Sequence, residues 1–167
     1  MTVRNIQSGL LRYIRMENNL SLEQAKESIK SKKNGDLIRL EFFGEDKIIS
    51  DGNIFYDSAI HDVETAMWLL DETPQLVFAI SGKINHEFND YTTILLSFKN
   101  NKTVIISSDW VTTYDKKRCN VICTNGKVSL ELQTNKTIIE TEYRNNALKV
   151  TEAAFLSSQK GIPIYLE

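Results

Sequence analysis

The side chains best suited to chemistry in this sequence lie in one short stretch, residues 57–64. Asp57 and His61 are four residues apart, so on a helix their Cβ atoms lie about 5 to 6 Å from each other. A carboxylate at that distance orients an imidazole and raises its basicity, which makes the two residues a candidate acid/base pair. The spacing also fits a second interpretation, in which Asp57 caps the helix and His61 is a satisfied, partly buried histidine.

Other residues that could carry chemistry give weaker signals. The second histidine, His86, lies in the polar stretch 85–90, where we expect a solvated loop. Cys119 and Cys123 lie in a strand-like segment, which puts their Cα atoms about 13 Å apart and beyond the roughly 7 Å limit of a disulfide. We therefore predict reduced core thiols and no zinc site, since no histidine is suitably spaced from them. Trp110 ends a predicted strand and is a candidate pocket residue, although a core or interface position is commoner.

Composition excludes several classes of protein. The 167 residues are 41% hydrophobic, which suits one compact domain. A formal net charge of -2 and a pI of about 5.8 provide no positive field for phosphates, so nucleic acid is not an expected partner. The seven glycines are isolated, so none forms a phosphate-binding loop. No segment resembles a signal peptide or a membrane span, and we expect a cytoplasmic protein without a membrane partner.

Helical periodicity and capping signals predict the elements that carry the candidate pair. Three helices are expected, at residues 21–33, 57–70 and about 147–160. Ser21 and Gln24 form a capping box at the start of the first helix. Asp57 or Ser58 is the expected cap of the second helix, and Gly161 ends the third.

Period-two alternation predicts a β-sheet. A strand at residues 37–43 precedes six more, at 76–84, 91–99, 103–110, 118–124, 127–132 and 137–143. Their succession, with tight turns at Asn100-Asn101 and Asn125-Gly126, indicates an antiparallel meander. The fold class is therefore α+β, with a large, mostly antiparallel, open-faced sheet of about six to seven strands covered by helices on one face.

The predicted strands are apolar at positions of both parities. Ile94 and Leu96 point to one face, whereas Leu95 points to the other. Because three helices are too few to cover both faces, we expect a homodimer or tetramer that forms through the open face.

The sequence around the candidate pair resembles a known family. Residues 52–64, followed by Trp68-Leu69, are similar to the G-G-x-x-x-D-x-x-I-H-D-I-D and W-L pattern of the glucose-fructose oxidoreductase and inositol dehydrogenase family (Gfo/Idh/MocA). Before this stretch, residues 6–13 resemble the family's last Rossmann strand with its Arg-Phe turn, and residues 25–37 resemble its A-K-E motif. After it, residues 98–101 resemble the F-x-N-G motif, and Trp110 resembles the family's later tryptophan. Residues 123–126 resemble the G-T-x-G motif, and residues 153–163 resemble the closing helix. The resemblance covers nearly the whole chain.

The resemblance implies a domain and a cofactor arrangement. It implies that residues 1–167 are a single C-terminal domain of this family, with 1–14 corresponding to the end of the last Rossmann strand. The implied fold is that of the C-terminal domains of dihydrodipicolinate reductase and glyceraldehyde-3-phosphate dehydrogenase. The sequence has neither the G-x-G-x-x-G turn nor the E-K-P motif of the family's N-terminal Rossmann domain. No cofactor is therefore expected in this chain, and NAD or NADP is implied on a missing partner domain.

The resemblance also implies roles for individual residues. Asp57 and His61 match the family's D-x-x-x-H motif, with His61 as the acid/base toward a sugar or polyol hydroxyl. Arg12, Tyr56 and Trp110 are the candidate substrate-binding residues. The implied function is the substrate-binding and oligomerisation domain of an NAD(P)-dependent sugar or polyol oxidoreductase, inactive alone and completed by a separate Rossmann-domain subunit. The alternative is a stand-alone, non-catalytic dimeric scaffold or carbohydrate-binding module.

Overall fold

The computed structural model describes residues 16–18, 20–45, 52–111, 117–132 and 143–167, and the statements below concern these residues. The elements follow in the order β1 (Met16–Asn18), α1 (Leu22–Lys30), β2 (Leu37–Glu45), a π-helical segment (Phe55–Ala59), α2 (Ile60–Leu70), β3 (Leu76–Gly82), β4 (Tyr91–Ser97), a 3₁₀ turn (Lys99–Asn101), β5 (Thr103–Asp109), β6 (Lys117–Cys123), β7 (Gly126–Leu132), α3 (Arg144–Lys160) and β8 (Ile164–Tyr165).

The helices begin and end close to the predicted positions. The Gln24 amide donates to Ser21 Oγ at 3.2 Å and the Ser21 amide donates to Gln24 Oε1 at 2.9 Å, which confirms the capping box. Helix α1 ends at Lys30, three residues earlier than predicted, because Lys32 adopts a left-handed conformation with φ of 52°. Helix α3 begins at Arg144 rather than 147 and ends, as predicted, at Gly161, whose φ is 66°.

The strand order of the sheet is β1-β7-β6-β2-β5-β4-β3-β8, so the predicted meander is wrong. Strands β3, β4 and β5 pair antiparallel in succession, as do β6 and β7. Between these two groups lies β2, parallel to β5 and antiparallel to β6. Leu40 and Phe42 of β2 are 0% and 1% exposed, so the central position buries apolar surface that an edge position would leave open. Alternation along a sequence reveals the faces of a strand but not its neighbours.

The α+β fold with an open, mostly antiparallel sheet is confirmed. The short edge strands β1 and β8 bring the sheet to eight strands. Of the strand predicted at 137–143, only Tyr143 lies within the described residues, where it precedes α3. Asn100 and Asn101 have φ values of 57° and 58°, as predicted for a tight turn. Gly126 pairs with Cys123, so the turn between β6 and β7 lies one residue earlier than predicted.

The helices cover one face of the sheet. Buried and more exposed residues alternate along β3, β4 and β5. Helix α3 packs against β3 and α2, α2 also packs against β5, and α1 packs against α2 and β7. The buried row beneath them consists of aliphatic side chains that are 0% exposed, among them Val77, Ile94, Leu96, Val104 and Ile106. The opposite face carries the intervening residues, including Ile80 and Leu95, which are 59% and 39% exposed.

Candidate functional site

The candidate acid/base pair lies at the junction between a π-helical segment and α2. The Ile60 amide donates to the Phe55 carbonyl, which closes the wide π-helical turn. Asp57 lies inside this segment and is half-buried, whereas His61 is exposed in the first turn of α2. Helix segments of π type are rare and are frequent at functional sites.

The capping interpretation of Asp57 is wrong. The residues at the N-cap positions of the π-helical segment and of α2 are Ile54 and Ala59, both have helical backbone angles, and neither makes a side-chain capping bond. Ser58 is 1% exposed and lies within the segment as well. The backbone continues from one helical type into the other, so no free amide is left for a cap at this point. The interpretation of His61 as partly buried is also wrong.

Tyr56 and Trp110, two of the candidate substrate-binding residues, lie in different surroundings. The Tyr56 side chain is 40% exposed, and its ring centroid lies 6.2 Å from that of Phe155 on α3. Burial raises the pKa of the Tyr56 phenol, and the negative charge of Glu152 raises it further. Trp110 is 7% exposed, and its indole nitrogen has no hydrogen-bond partner among the described residues. The third candidate, Arg12, lies outside the described residues.

Sequence reasoning missed a second carboxylate and histidine, in the loop between β3 and β4. Asp90 is fully buried and accepts hydrogen bonds from the amides of Ile84 at 2.9 Å and Asn85 at 2.6 Å. His86 Nδ1 lies 3.2 Å from the Asp90 carboxylate, and the ring stacks on Phe88 at 4.9 Å. His86 lies in a loop, as predicted, but it is half-buried against Asp90 and Phe88 rather than fully solvated. The four-residue spacing of these two residues was visible in the sequence, but no helical pattern marked it.

The loop is hydrogen-bonded to Ile54, just before the π-helical segment, and to Trp110. The Asn89 carbonyl accepts from the Ile54 amide at 3.2 Å, directly before the π-helical segment. The Trp110 amide donates to the Asp90 carbonyl at 3.0 Å, and the Trp110 ring meets the edge of Phe88 at 5.8 Å. The loop that Asp90 organises thus contacts the start of the segment that carries Asp57.

A cleft of about 410 Å³ opens beside this loop. That volume is within the range of small-molecule sites. Its walls come from the turn before the π-helical segment, the end of β3, the following loop and α3, and its lining combines neutral polar, charged and aromatic side chains: Asn53, Ser81, Lys83, Glu87, Phe88, Asn89, Phe155, Ser158 and Gln159. The four predicted site residues that the structure describes are not among them.

The described residues do not form a dinucleotide site. Such a site needs a strand, a glycine-rich turn and a helix N-terminus that receives the pyrophosphate. The two parallel pairs in the described part of the sheet are β1 with β7 and β2 with β5, and several elements separate the members of each pair along the chain. The same part of the chain contains no group of three His, Cys, Asp or Glu side chains that could hold a metal ion. Among its helices, none is long and apolar enough to cross a membrane.

The fold is similar to that of solved dehydrogenases. A myo-inositol dehydrogenase from Corynebacterium glutamicum aligns with a TM-score of 0.74 and 14% identity over 89% of this chain and 62% of its own. A scyllo-inositol dehydrogenase from Lactobacillus casei aligns with a TM-score of 0.69 and 13% identity over 86% of this chain and 60% of its own. An oxidoreductase from Agrobacterium radiobacter was solved with NAD+, L-tartaric acid and magnesium. It aligns with a TM-score of 0.64 and 15% identity over 86% of this chain and 61% of its own.

Sequence comparison identifies the family. This chain spans about 60% of the length of the solved structures that it matches. A search of curated protein sequences finds no match. The sequence profile of the GFO/IDH/MocA C-terminal domain matches residues 22–129, which run from the start of α1 through the π-helical segment and α2 into β7. This chain therefore belongs to the GFO/IDH/MocA C-terminal domain family.

Proposed function

We propose that this chain is the substrate-binding and oligomerisation domain of an NAD(P)-dependent sugar or polyol oxidoreductase, with residues 1–167 as one domain. The observation that carries the proposal is the placement of His61, which is exposed one turn after Asp57, whereas other residues of the same helical segment, such as Phe55 and Ala59, are buried in the core. The similar structures include two inositol dehydrogenases and an oxidoreductase solved with NAD+, and these support the proposed substrate class and cofactor.

In this proposal the chain supplies proton transfer and substrate orientation. His61 accepts the proton of a substrate hydroxyl as a general base, and Asp57 orients the imidazole and stabilises its charged form. Tyr56 and Trp110 contact the substrate, as does Arg12. Removal of a hydride requires an acceptor, which we place on a separate Rossmann domain, so this chain is inactive alone.

The test combines this chain with a Rossmann domain of the same family from the same organism, either as a separate chain or fused to it. We expect NAD(P)-dependent oxidation of at least one compound in a panel of inositols and sugars. Loss of a general base lowers kcat by roughly 10² to 10⁴, so His61→Ala should lower it by that factor. Lys149→Ala, on the exposed side of α3, is the matched control. Absence of turnover with every compound, or unchanged turnover in His61→Ala, would contradict the proposal.

We further propose that the open face of the sheet binds a second copy of the chain, as a homodimer or within a tetramer. Phe78, Leu95 and Ile105 lie in one row across β3, β4 and β5, and Ile80 lies in the next row. Such a contiguous apolar patch on adjacent strands favours association.

Cys119 and Cys123, both buried and unbridged, support a location in the reducing cytoplasm.

The cleft favours a second candidate function, a carbohydrate-binding scaffold without chemistry. Five of its lining side chains are neutral hydroxyl or amide groups and two are phenylalanines: Asn53, Ser81, Asn89, Ser158, Gln159, Phe88 and Phe155. Hydroxyl and amide groups bond to sugar hydroxyls, and aromatic rings pack against the apolar faces of sugar rings.

Calorimetry with inositols on the isolated chain separates the two candidates. If the scaffold function is correct, Gln159→Trp blocks the cleft and abolishes binding, whereas His61→Ala and the neighbouring control Lys160→Trp do not. Binding that depends on His61 and survives Gln159→Trp would refute the scaffold function.

A further inference from the structure

A buried ion pair lies directly beneath the candidate acid/base residue. Asp62 follows His61 in the first turn of α2, and its Oδ1 lies 3.0 Å from Lys117 Nζ on β6. The Asp62 and Lys117 side chains are only 2% and 7% exposed. Ser108 Oγ on β5 approaches the other carboxylate oxygen of Asp62 at 3.5 Å. One side chain thus joins the start of α2 to two strands of the sheet.

A contribution to stability does not explain why the Asp62–Lys117 pair is buried. Removing two charges from water costs free energy that their attraction often does not fully offset, and well-packed apolar substitutes are often as stable or more stable. Buried ion pairs are better known for fixing the register of the elements that carry them. In this chain that element is the first turn of α2, which has no capping side chain of its own.

Other charges lie close to the pair. Burial raises the pKa of the Cys119 thiol on β6 well above its ordinary value, and the negative charges of Asp62 and then Glu41 raise it further. Glu64, one residue beyond the first turn of α2, is also buried. Lys117 supplies a positive charge that compensates the buried Asp62 carboxylate.

We propose that the Asp62–Lys117 pair is a positioning device that holds His61 in register with Asp57. The inference rests on the proposed role of Asp57 and His61 as an acid/base pair. Asp57 lies within the π-helical segment and His61 lies just after its end, and the attachment of Asp62 to the sheet fixes where that segment ends. Without the attachment, the segment is free to convert to ordinary α-helix, which rotates His61 relative to Asp57.

The test measures the coupling between Asp57 and His61 with and without the buried pair. The chain has two histidines, so their imidazole NMR signals are assigned with His86→Gln. In the native background, Asp57→Asn should lower the pKa of His61 by about 0.3, as for a charge pair one turn apart. In the Asp62→Leu/Lys117→Met background the shift should fall below half that value. The double substitution avoids an unpaired buried charge, which single substitutions would leave.

The control is a second ion pair, which lies at the C-terminal end of α2. Glu72, just after the helix, pairs with Lys102, and Glu72→Gln/Lys102→Met should leave the coupling unchanged. Amide hydrogen exchange of the Asp62→Leu/Lys117→Met variant checks the fold. Compared with the native chain, exchange should accelerate at residues 55–61 and not at 65–70. Undiminished coupling in Asp62→Leu/Lys117→Met overturns the positioning role and leaves the acid/base pair intact. Absence of coupling in the native background overturns both.

Discussion

Two carboxylates in this protein stand four residues from a histidine, and their surroundings give them different chemistry. Asp57 precedes His61 on a continuous helical segment, and the imidazole is exposed. Asp90 follows His86 in an irregular loop, is fully buried and is surrounded by amide donors. An exposed histidine can exchange protons with a ligand, whereas a buried carboxylate with several donors holds a loop in shape.

Replacement of the buried carboxylate should destabilise the protein. We expect Asp90→Asn to lower the free energy of unfolding at pH 7 by about 2 kcal/mol, because hydrogen bonds to a charged acceptor are lost. Urea denaturation measures the change. The control is Glu87→Gln, an exposed substitution in the same loop, for which a change below about 0.5 kcal/mol is expected. Equal effects of the two substitutions would contradict the role of Asp90.

The same residue should make stability depend on pH. Burial alone would raise the pKa of Asp90, but hydrogen bonds from the amides of Asn85 and Ile84 and from His86 lower it below the ordinary value. A carboxyl group with a lowered folded-state pKa stabilises the fold above its unfolded-state pKa of about 4, and this contribution is lost as the pH falls through the folded value. The difference in unfolding free energy between the native chain and Asp90→Asn should therefore be constant from pH 5 to 7 and shrink below about pH 4. A difference that grows on acidification would contradict this assignment.

At the scale of elements, a short edge strand is completed by a helix side chain. Within the described part of the chain, strand β8 pairs with Leu76 and Val77 of β3. Beyond its end, Ser157 Oγ of α3 accepts from the Ala79 amide at 3.0 Å and donates to the Ile162 carbonyl at 2.6 Å. A single hydroxyl thus satisfies two backbone groups that would otherwise lack partners.

Loss of the Ser157 hydroxyl should lower the free energy of unfolding more than loss of the neighbouring Ser158 hydroxyl. We expect Ser157→Ala to lower the free energy of unfolding by about 2 kcal/mol, since a buried amide is left without an acceptor. Ser158→Ala is the matched control, because the Ser158 hydroxyl donates only to the Phe155 carbonyl within the same helix. Its expected cost is below about 0.5 kcal/mol. Thermal and urea unfolding of both variants decide the point, and a Ser158→Ala variant at least as unstable as Ser157→Ala would refute it.

At the scale of the whole molecule, the two faces of the sheet differ in exposure and polarity, and this difference supports the proposed self-association. The helices bury one face, and the other carries Ile80 and Leu95 with exposures of 59% and 39%. The half of the open face formed by β2, β6 and β7 is more polar, with Glu41 opposite Asn120 and Arg118 opposite Glu131. A partner sheet would bury the apolar half and exchange polar contacts with the other half.

Charges placed on the apolar half should dissociate the assembly. We expect the native chain to sediment as a dimer or tetramer and Ile80→Lys/Leu95→Lys to sediment as a folded monomer, because lysine cannot be buried unpaired in an interface. Leu148→Lys is the control, since Leu148 is 42% exposed on α3, in the helical layer. Circular dichroism verifies folding. A native monomer, or a double variant of native mass, would contradict association through this face.

The sequence by itself determined the local features of this protein. The capping box at Ser21, the tight turn at Asn100-Asn101 and the end of α3 at Gly161 depend on residues close together in the chain, and the structure confirms each. The alternating strands and the family resemblance were also readable, and the profile match at 22–129 confirms the family.

Only the tertiary structure decided the features that depend on distant residues. The insertion of β2 between β5 and β6 and the pairing of Asp62 with Lys117 both join segments that are far apart in the chain. Helical and strand periodicity record which side of an element is apolar, because that side must leave water. They do not record which element covers it. The choice of neighbour minimises the free energy of the whole packed sheet and its helices, so it becomes visible only when all of them are in place.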